Sequence, residues 1–263
     1  MEILGYICAL FIGLVLGVIG GGGSILSVPV FVYLFGEDTS TATALSLFVV
    51  GITSSIGSIG LIQRKLVDFR MAILFGIPSV LGIIFSRRLI LPNLPEYIIN
   101  RWGIQLTKDM FILILFAILM LISSYKMIKK IHRIKIIDNE EPNYTLLISQ
   151  GLLVGIVTGF IGAGGGFLIV PALVMLLRMS MKKAVATSLF IIAINSLIGF
   201  FSSIEHTEIN WIFLLSFTAI SVIGILIGGS ISKSIEGHRL KPIFGWFVLV
   251  MAVWIIINET ILK

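Results

Sequence analysis

Gly17-Val18-Ile19-Gly20-Gly21-Gly22-Gly23-Ser24-Ile25-Leu26-Ser27-Val28-Pro29 returns later in the chain as Gly159-Phe160-Ile161-Gly162-Ala163-Gly164-Gly165-Gly166-Phe167-Leu168-Ile169-Val170-Pro171. The match continues without a gap. Ala44-Leu45-Ser46-Leu47-Phe48 pairs with Ala186-Thr187-Ser188-Leu189-Phe190, then Gly57 with Gly199, Asp68 with Asn210 and Gly82 with Gly224. Chance likeness between apolar segments does not hold register so long, so the chain is read as one structural unit used twice.

Composition places that unit in a membrane. Apolar residues make up 57% of the chain and charged residues 12%, about half the charged share of a soluble domain. A span needs roughly 20 apolar residues. Runs approaching that length cover Ile3–Gly20, Thr43–Ile62, Phe69–Phe85, Met110–Ser124, Leu146–Gly162, Ala184–Ser203, Trp211–Ile231 and Ile243–Ile257. Shorter apolar pieces, Ile25–Phe35 and Phe167–Leu177, follow the first and fifth runs. The expected fold is therefore an all-α integral membrane protein of two repeats, 1–128 and 145–263, joined by a basic linker over 129–144.

Met1-Glu2-Ile3 lacks the positive start of a secretory signal, so the first run is expected to stay in the protein. Cys8 is the single cysteine, which excludes a disulfide or a cysteine zinc cluster within one chain. The formal net charge of +6 does not point to nucleic acid, because the basic residues sit in short segments beside apolar runs. Lys126, Lys129, Lys130, Arg133 and Lys135 are read as orientation signals and contacts for anionic lipid.

A glycine-rich stretch closing on Val-Pro, duplicated and followed each time by Ala-x-Ser-Leu-Phe, resembles the sulfite exporter TauE/SafE family over nearly the whole chain. The resemblance implies an inner (plasma) membrane protein of a bacterium or archaeon that moves sulfite, organosulfonates or related small anions.

Corresponding loops carry opposite charge. Glu37 and Asp38 follow the first glycine segment, whereas Arg178, Lys182 and Lys183 follow the second. Arg64, Lys65 and Arg70 lie in the next loop of the first half; its counterpart, around Glu205, His206 and Glu208, has no Lys or Arg. With basic loops inside, the pattern closes only if residues 3–36 and 146–178 are helical hairpins that enter and leave on one side, each followed by three crossings. The repeats are then inverted and both termini lie outside. Arg87 and Arg88 fall outside in this scheme, against the rule.

The glycines are where chemistry is expected. A helix broken in hydrocarbon must find partners for its freed N–H and C=O groups. Gly20, Gly21, Gly22, Gly23 and Ser24, with Gly162, Ala163, Gly164, Gly165 and Gly166, leave the backbone unshielded. The helices that follow present unpaired N–H groups and a positive dipole end, a combination that binds anions. Ala163 opposite Gly21 suggests that one methyl is accommodated there. Pro29 and Pro171 kink the second helices if these begin near Ser24 and Gly166, and are first-turn residues if the helices begin at the prolines.

On the helix after each hairpin, Ser46, Thr53 and Gly57 share a face that Ser188, Asn195 and Gly199 repeat. Their donors are candidates to complete an anion's coordination; the competing role is bonding to their own backbone or gluing helices. Gly13-x-x-x-Gly17, Gly155-x-x-x-Gly159 and Gly224-x-x-x-Gly228 are read as close-packing pairs.

No Asp, Glu, Lys, Arg or His lies near the middle of a predicted span, which argues against a proton relay through a buried carboxylate. His132, His206 and His238 are assigned to loops. Catalytic residues, metal and cofactor are not expected, so a membrane-embedded enzyme ranks last. A carrier for a small anion ranks first, followed by an anion channel using the same glycines. The bilayer is the other partner, and the oligomeric state is not set by the sequence.

Overall fold

The computed structural model describes residues 2–101, 104–128, 144–162, 164–177, 179–204, 209–235 and 237–261. The linker 129–144, apart from Tyr144, lies outside the described residues, as do Ala163, Arg178, Glu205, His206 and Glu208.

The first half contains α1 (Glu2–Ile19), a 3-10 turn (Gly21–Gly23), α2 (Ser24–Pro29) running into a π-helical turn (Val30–Leu34), α3 (Thr39–Gln63), α4 (Phe69–Phe85) running into a second π-helical turn (Ser86–Ile90), and α5 (Lys108–Ile128). The second half contains α6 (Tyr144–Ile161), α7 (Gly166–Leu176), α8 (Met181–Phe201), α9 (Trp211–Ser234) and α10 (Gly237–Ile261). Among the described residues six helices are long and apolar enough to span a bilayer, namely α3, α4, α5, α8, α9 and α10. That is three per half.

Local chemistry sets the helix starts. Asp38 accepts a hydrogen bond from the Thr41 N–H at the head of α3. Asp68 accepts from Met71 N–H at the head of α4, and Asn210 from Phe213 N–H at the head of α9. The Asp68 and Asn210 pairing in the repeat is thus a conserved job within the chain: each side chain caps the same helix of its half. Lys65, at a φ of 56°, ends α3.

α1 and α2 form a hairpin, since a Cβ at Gly5, near the start of α1, would fall on the ring of Phe35, just past the π-helical turn that continues α2. In the second half Leu147 near the start of α6 and Leu173 near the end of α7 belong to one buried cluster with Phe75.

The closest helix pairs exchange when the halves are exchanged. α1 packs on α9 as α6 packs on α4, α3 meets α9 as α8 meets α4, and α3 with α8 and α5 with α10 pair across the middle. Gly13 meets the Ser221 carbonyl where Gly155 meets the Ser79 carbonyl, so the small-residue pairs do pack backbone against backbone. Direction can be read from the same contacts. Gly57 lies by Leu189 and Gly199 by Leu47, so α3 and α8 run antiparallel. α1 and α9, like α4 and α6, run parallel, with Gly13 beside Ser221 and Gly17 beside Gly228, and Gly151 beside Phe75 and Gly159 beside Ile83.

α3 and α8 are the most enclosed spans. The outer helices turn apolar stripes away from the protein, as Ile73, Ile77 and Leu81 do on α4. Such stripes suit lipid and not water.

One expectation changes, that for His238, and two features are added to the reading. A short antiparallel hairpin, β1 (Tyr97–Arg101) with β2 (Ile104–Thr107), lies between α4 and α5 in an otherwise helical, all-α membrane protein. Its signal, two short β-forming runs around Trp102-Gly103, sits in what reads as a mere connection. His238 lies inside α10, which extends beyond the apolar run. Glu259 is buried near the end of α10, where it accepts a 2.7 Å hydrogen bond from the Tyr33 hydroxyl.

Candidate functional site

The two breaks are solved differently. In the second half Gly162, Gly164 and Gly165 all take positive φ, 75°, 63° and 69°, a region that disfavours residues with a Cβ. α7 then starts at Gly166; the Gly165 carbonyl accepts from the Leu168 and Ile169 N–H groups at 2.9 Å, so the N–H groups of Gly166 and Phe167 precede the helix's own hydrogen bonds. In the first half only Gly20 is left-handed, at 77°, and the chain passes through the Gly21–Gly23 turn into α2. The Ser24 hydroxyl donates to the Gly21 carbonyl at 2.7 Å and the Ser27 hydroxyl to the Ser24 carbonyl at 2.8 Å, tying that turn to its helix. Since the second helices begin at Ser24 and Gly166, Pro29 and Pro171 lie within them and are not first-turn residues. The π-helical turn follows Pro29, where the helix loses an N–H.

The breaks meet. A Cβ at Gly21 would overlap the Gly166 backbone, and a Cβ at Gly166 would overlap Gly21. Gly164 is level with the middle of α3 and α8, beside Val50, Ile192 and the Ser196 hydroxyl.

Buried hydroxyls lie against the second break and within α3 and α8. Ser54 on α3 and Ser196 on α8 are equivalent in the repeat, fully buried, and without a hydrogen-bond partner. Thr158 Oγ1 is also buried without a partner and lies against Gly165. The sequence expectation placed Ser46, Thr53, Ser188 and Asn195 on this face. Ser46 shares a hydrogen bond with Ser27, and Ser188 donates to the Val185 carbonyl at 2.9 Å, so both have structural partners. Asn195 donates through Nδ2 to Ser79 Oγ at 2.7 Å and leaves Oδ1 without a partner. The equivalent pair in the other half, Thr53 and Ser221, is too short to close the same bridge, and both hydroxyls are unpartnered.

Sequence reasoning passed over Ser54 and Ser196, although they follow Thr53 and Asn195 directly and are identical in both copies. The basic-inside scheme puts Arg87 on the outer side, against its own rule. Arg87 is 4% exposed, on the π-helical turn that continues α4. Its Nη1 donates to Ser203 Oγ at 3.1 Å, and Nη2 lies 2.6 Å from where a Cβ of Gly162 would stand. The exception to the basic-inside rule is therefore a buried guanidinium; its one advance signal was that it broke the rule.

The repeat equivalent of Arg87 is Gly229. Gly229 lines a cleft of about 380 Å³ whose walls include Gly17, Gly57 and Val185 and which also carries Arg64 and Lys182. One end of the glycine assembly is filled by Arg87, whereas the equivalent place at the other end is open.

The chain matches the sulfite exporter TauE/SafE family over residues 5–255. It belongs to that family. Relatives of similar length agree: a probable membrane transporter protein of Xylella fastidiosa is 27% identical over 255 residues, covering 93% of this chain and 91% of that protein. The probable membrane transporter protein YunE of Bacillus subtilis is 26% identical, covering 91% and 93%. A probable membrane transporter protein of Methanocaldococcus jannaschii is 24% identical, covering 94% of each. No solved structure matches the chain. This TauE/SafE family member is thus a multi-pass membrane transporter.

Proposed function

We propose that this protein is a carrier for a small sulfur oxyanion or organosulfonate, held at the paired glycine breaks and moved as one half rocks against the other. The observation that carries this reading is the contact between Gly21 and Gly166, with the partnerless Ser196 hydroxyl against the neighbouring Gly164 and Ser54 as its partnerless repeat equivalent. Unpaired buried donors cost about 1–3 kcal/mol each. A bound anion would satisfy several at once, using the α7 amides and the hydroxyls together.

Alternating access needs two related ends. The antiparallel crossing of α3 and α8 supports inverted repeats, because an axis along the membrane normal would leave repeat-equivalent helices parallel. In this reading the cleft bearing Arg64 and Lys182 opens to the cytoplasm, Glu37 and both termini face outward, and the protein resides in the cell's inner membrane.

The test is thermal unfolding of the detergent-purified protein with sulfite, sulfate, thiosulfate, sulfoacetate and chloride, since a ligand of the folded state raises stability by mass action. Stabilisation by one or more sulfur oxyanions, with saturable exchange in proteoliposomes, is the expected result. Stabilisation by none of them contradicts the proposal, and large conductance without exchange replaces the carrier with a channel.

A further inference from the structure

We infer that Arg87 is an oxyanion receptor at the Gly162 end of the second glycine break, selecting ions that offer two oxygens to a guanidinium edge; this rests on the transport reading above and deepens it. The side chain is 4% exposed and forms no ion pair among the described residues. A desolvated cation without a counter-charge is unfavourable, and proteins retain one where something supplies the missing charge.

The geometry indicates what that is. Nη1 is committed to Ser203 Oγ, and Ser203 in turn donates to the Gly199 carbonyl at 2.9 Å, so the guanidinium is anchored at one corner. Nε and Nη2 have no partner. Those two nitrogens form one edge of the planar group, the edge that grips two oxygens of a sulfonate, sulfite, sulfate or carboxylate in parallel hydrogen bonds. A halide cannot use both donors in that way.

The surroundings fit an ion at that edge. Gly162 sits beneath Nη2 in a left-handed conformation with no side chain to cover its peptide, and Thr43 packs on the same spot. The neighbouring Ser86 hydroxyl is buried and also partnerless. At the matching place in the other half Val185 replaces Thr43 against Gly20, and Gly229 replaces Arg87. The receptor therefore belongs to one end of the path only, the end on the side of Glu37 and Ser203, and the opposite end is an open cleft.

The experiment compares full-length wild type, Arg87→Gln and Arg87→Lys in detergent, titrated with sodium sulfite and sodium sulfate, with sodium chloride as the one-atom control. Unliganded melting and gel filtration establish folding. The expected result is at least tenfold weaker oxyanion affinity in R87Q. R87K, which keeps the charge and loses the fork, should lose oxyanion affinity while any chloride response stays unchanged; it carries the test if R87Q does not fold. A Glu205→Gln/Glu208→Gln variant, removing the carboxylates nearest Ser203 in sequence, should bind oxyanions like wild type. Wild-type oxyanion affinity in folded R87Q or R87K would overturn the assignment and leave the central glycine site standing. A wild-type protein that binds no oxyanion would remove both.

Discussion

Gly21 and Gly166 touch backbone to backbone, so the two halves of the protein meet at a point where neither can carry a side chain. Each residue opens the return helix or turn of its hairpin. The contact leaves no room for a side chain between the two breaks.

Replacing Gly21 or Gly166 with Ala should therefore be costly. The new methyl would meet main chain and not a flexible side chain, and overpacking of this kind costs about 1–3 kcal/mol. The sequence suggested tolerance at Gly21, because Ala163 stands opposite it in the repeat; the Gly166 contact argues otherwise. Lower melting temperature of both variants, measured without ligand, is the expected outcome. Unchanged melting would mean that the hairpin tips are free to separate.

Serine substitutions separate structural hydroxyls from available ones. Ser54→Ala and Ser196→Ala remove hydroxyls that have no partner, so unliganded stability should hold or rise, while oxyanion affinity falls about two- to twelvefold, the equivalent of roughly 0.5–1.5 kcal/mol per hydrogen bond. Ser46→Ala should do the reverse, losing stability through its Ser27 partner and keeping affinity. Isothermal titration beside thermal melting distinguishes the patterns.

Asn195→Ala leaves the Ser79 hydroxyl buried without its donor and should destabilise by about 1–3 kcal/mol. Thr53→Ala breaks no hydrogen bond and should cost less. Equal losses would place the effect in cavity formation and not in the hydrogen bond.

Much of this architecture is legible in the sequence for a simple reason: hydrocarbon demands long apolar helices, and a repeat demands that both copies be read alike. α4 occupies Phe69–Phe85, the same limits as its apolar run. The other five long apolar helices also fall on apolar runs. What could not be read depends on contacts between distant segments. A helical wheel does not reveal that Ser27 reaches across to Ser46, nor that Ser188 turns to its own backbone while Ser196 does not. Arg87 looks like a loop residue until Gly162 is placed beneath it. The starts of α2 and α7 were open because a proline is compatible with either a first turn or a kink.

Orientation is tested in cells. Single cysteines at Glu37 and Lys182, introduced into a Cys8→Ala background, should react with membrane-impermeant reagents from opposite compartments. Labelling from one compartment would remove the inverted arrangement and the assignment of the cleft to the cytoplasm.

The central claim is that anions bind the backbone opened by the second glycine break, and oxyanion affinity in purified Gly164→Ala tests it most directly. A Cβ at Gly164 would stand 2.6 Å from Ser196 Oγ and 3.0 Å from Val50 Cγ1, in the space where an anion would reach the hydroxyl and the α7 amides. The positive φ adds strain of about 1–3 kcal/mol, so the variant is judged only as folded, correctly inserted protein. The account predicts oxyanion affinity at least tenfold below wild type. Wild-type affinity in a stably folded Gly164→Ala protein would contradict it.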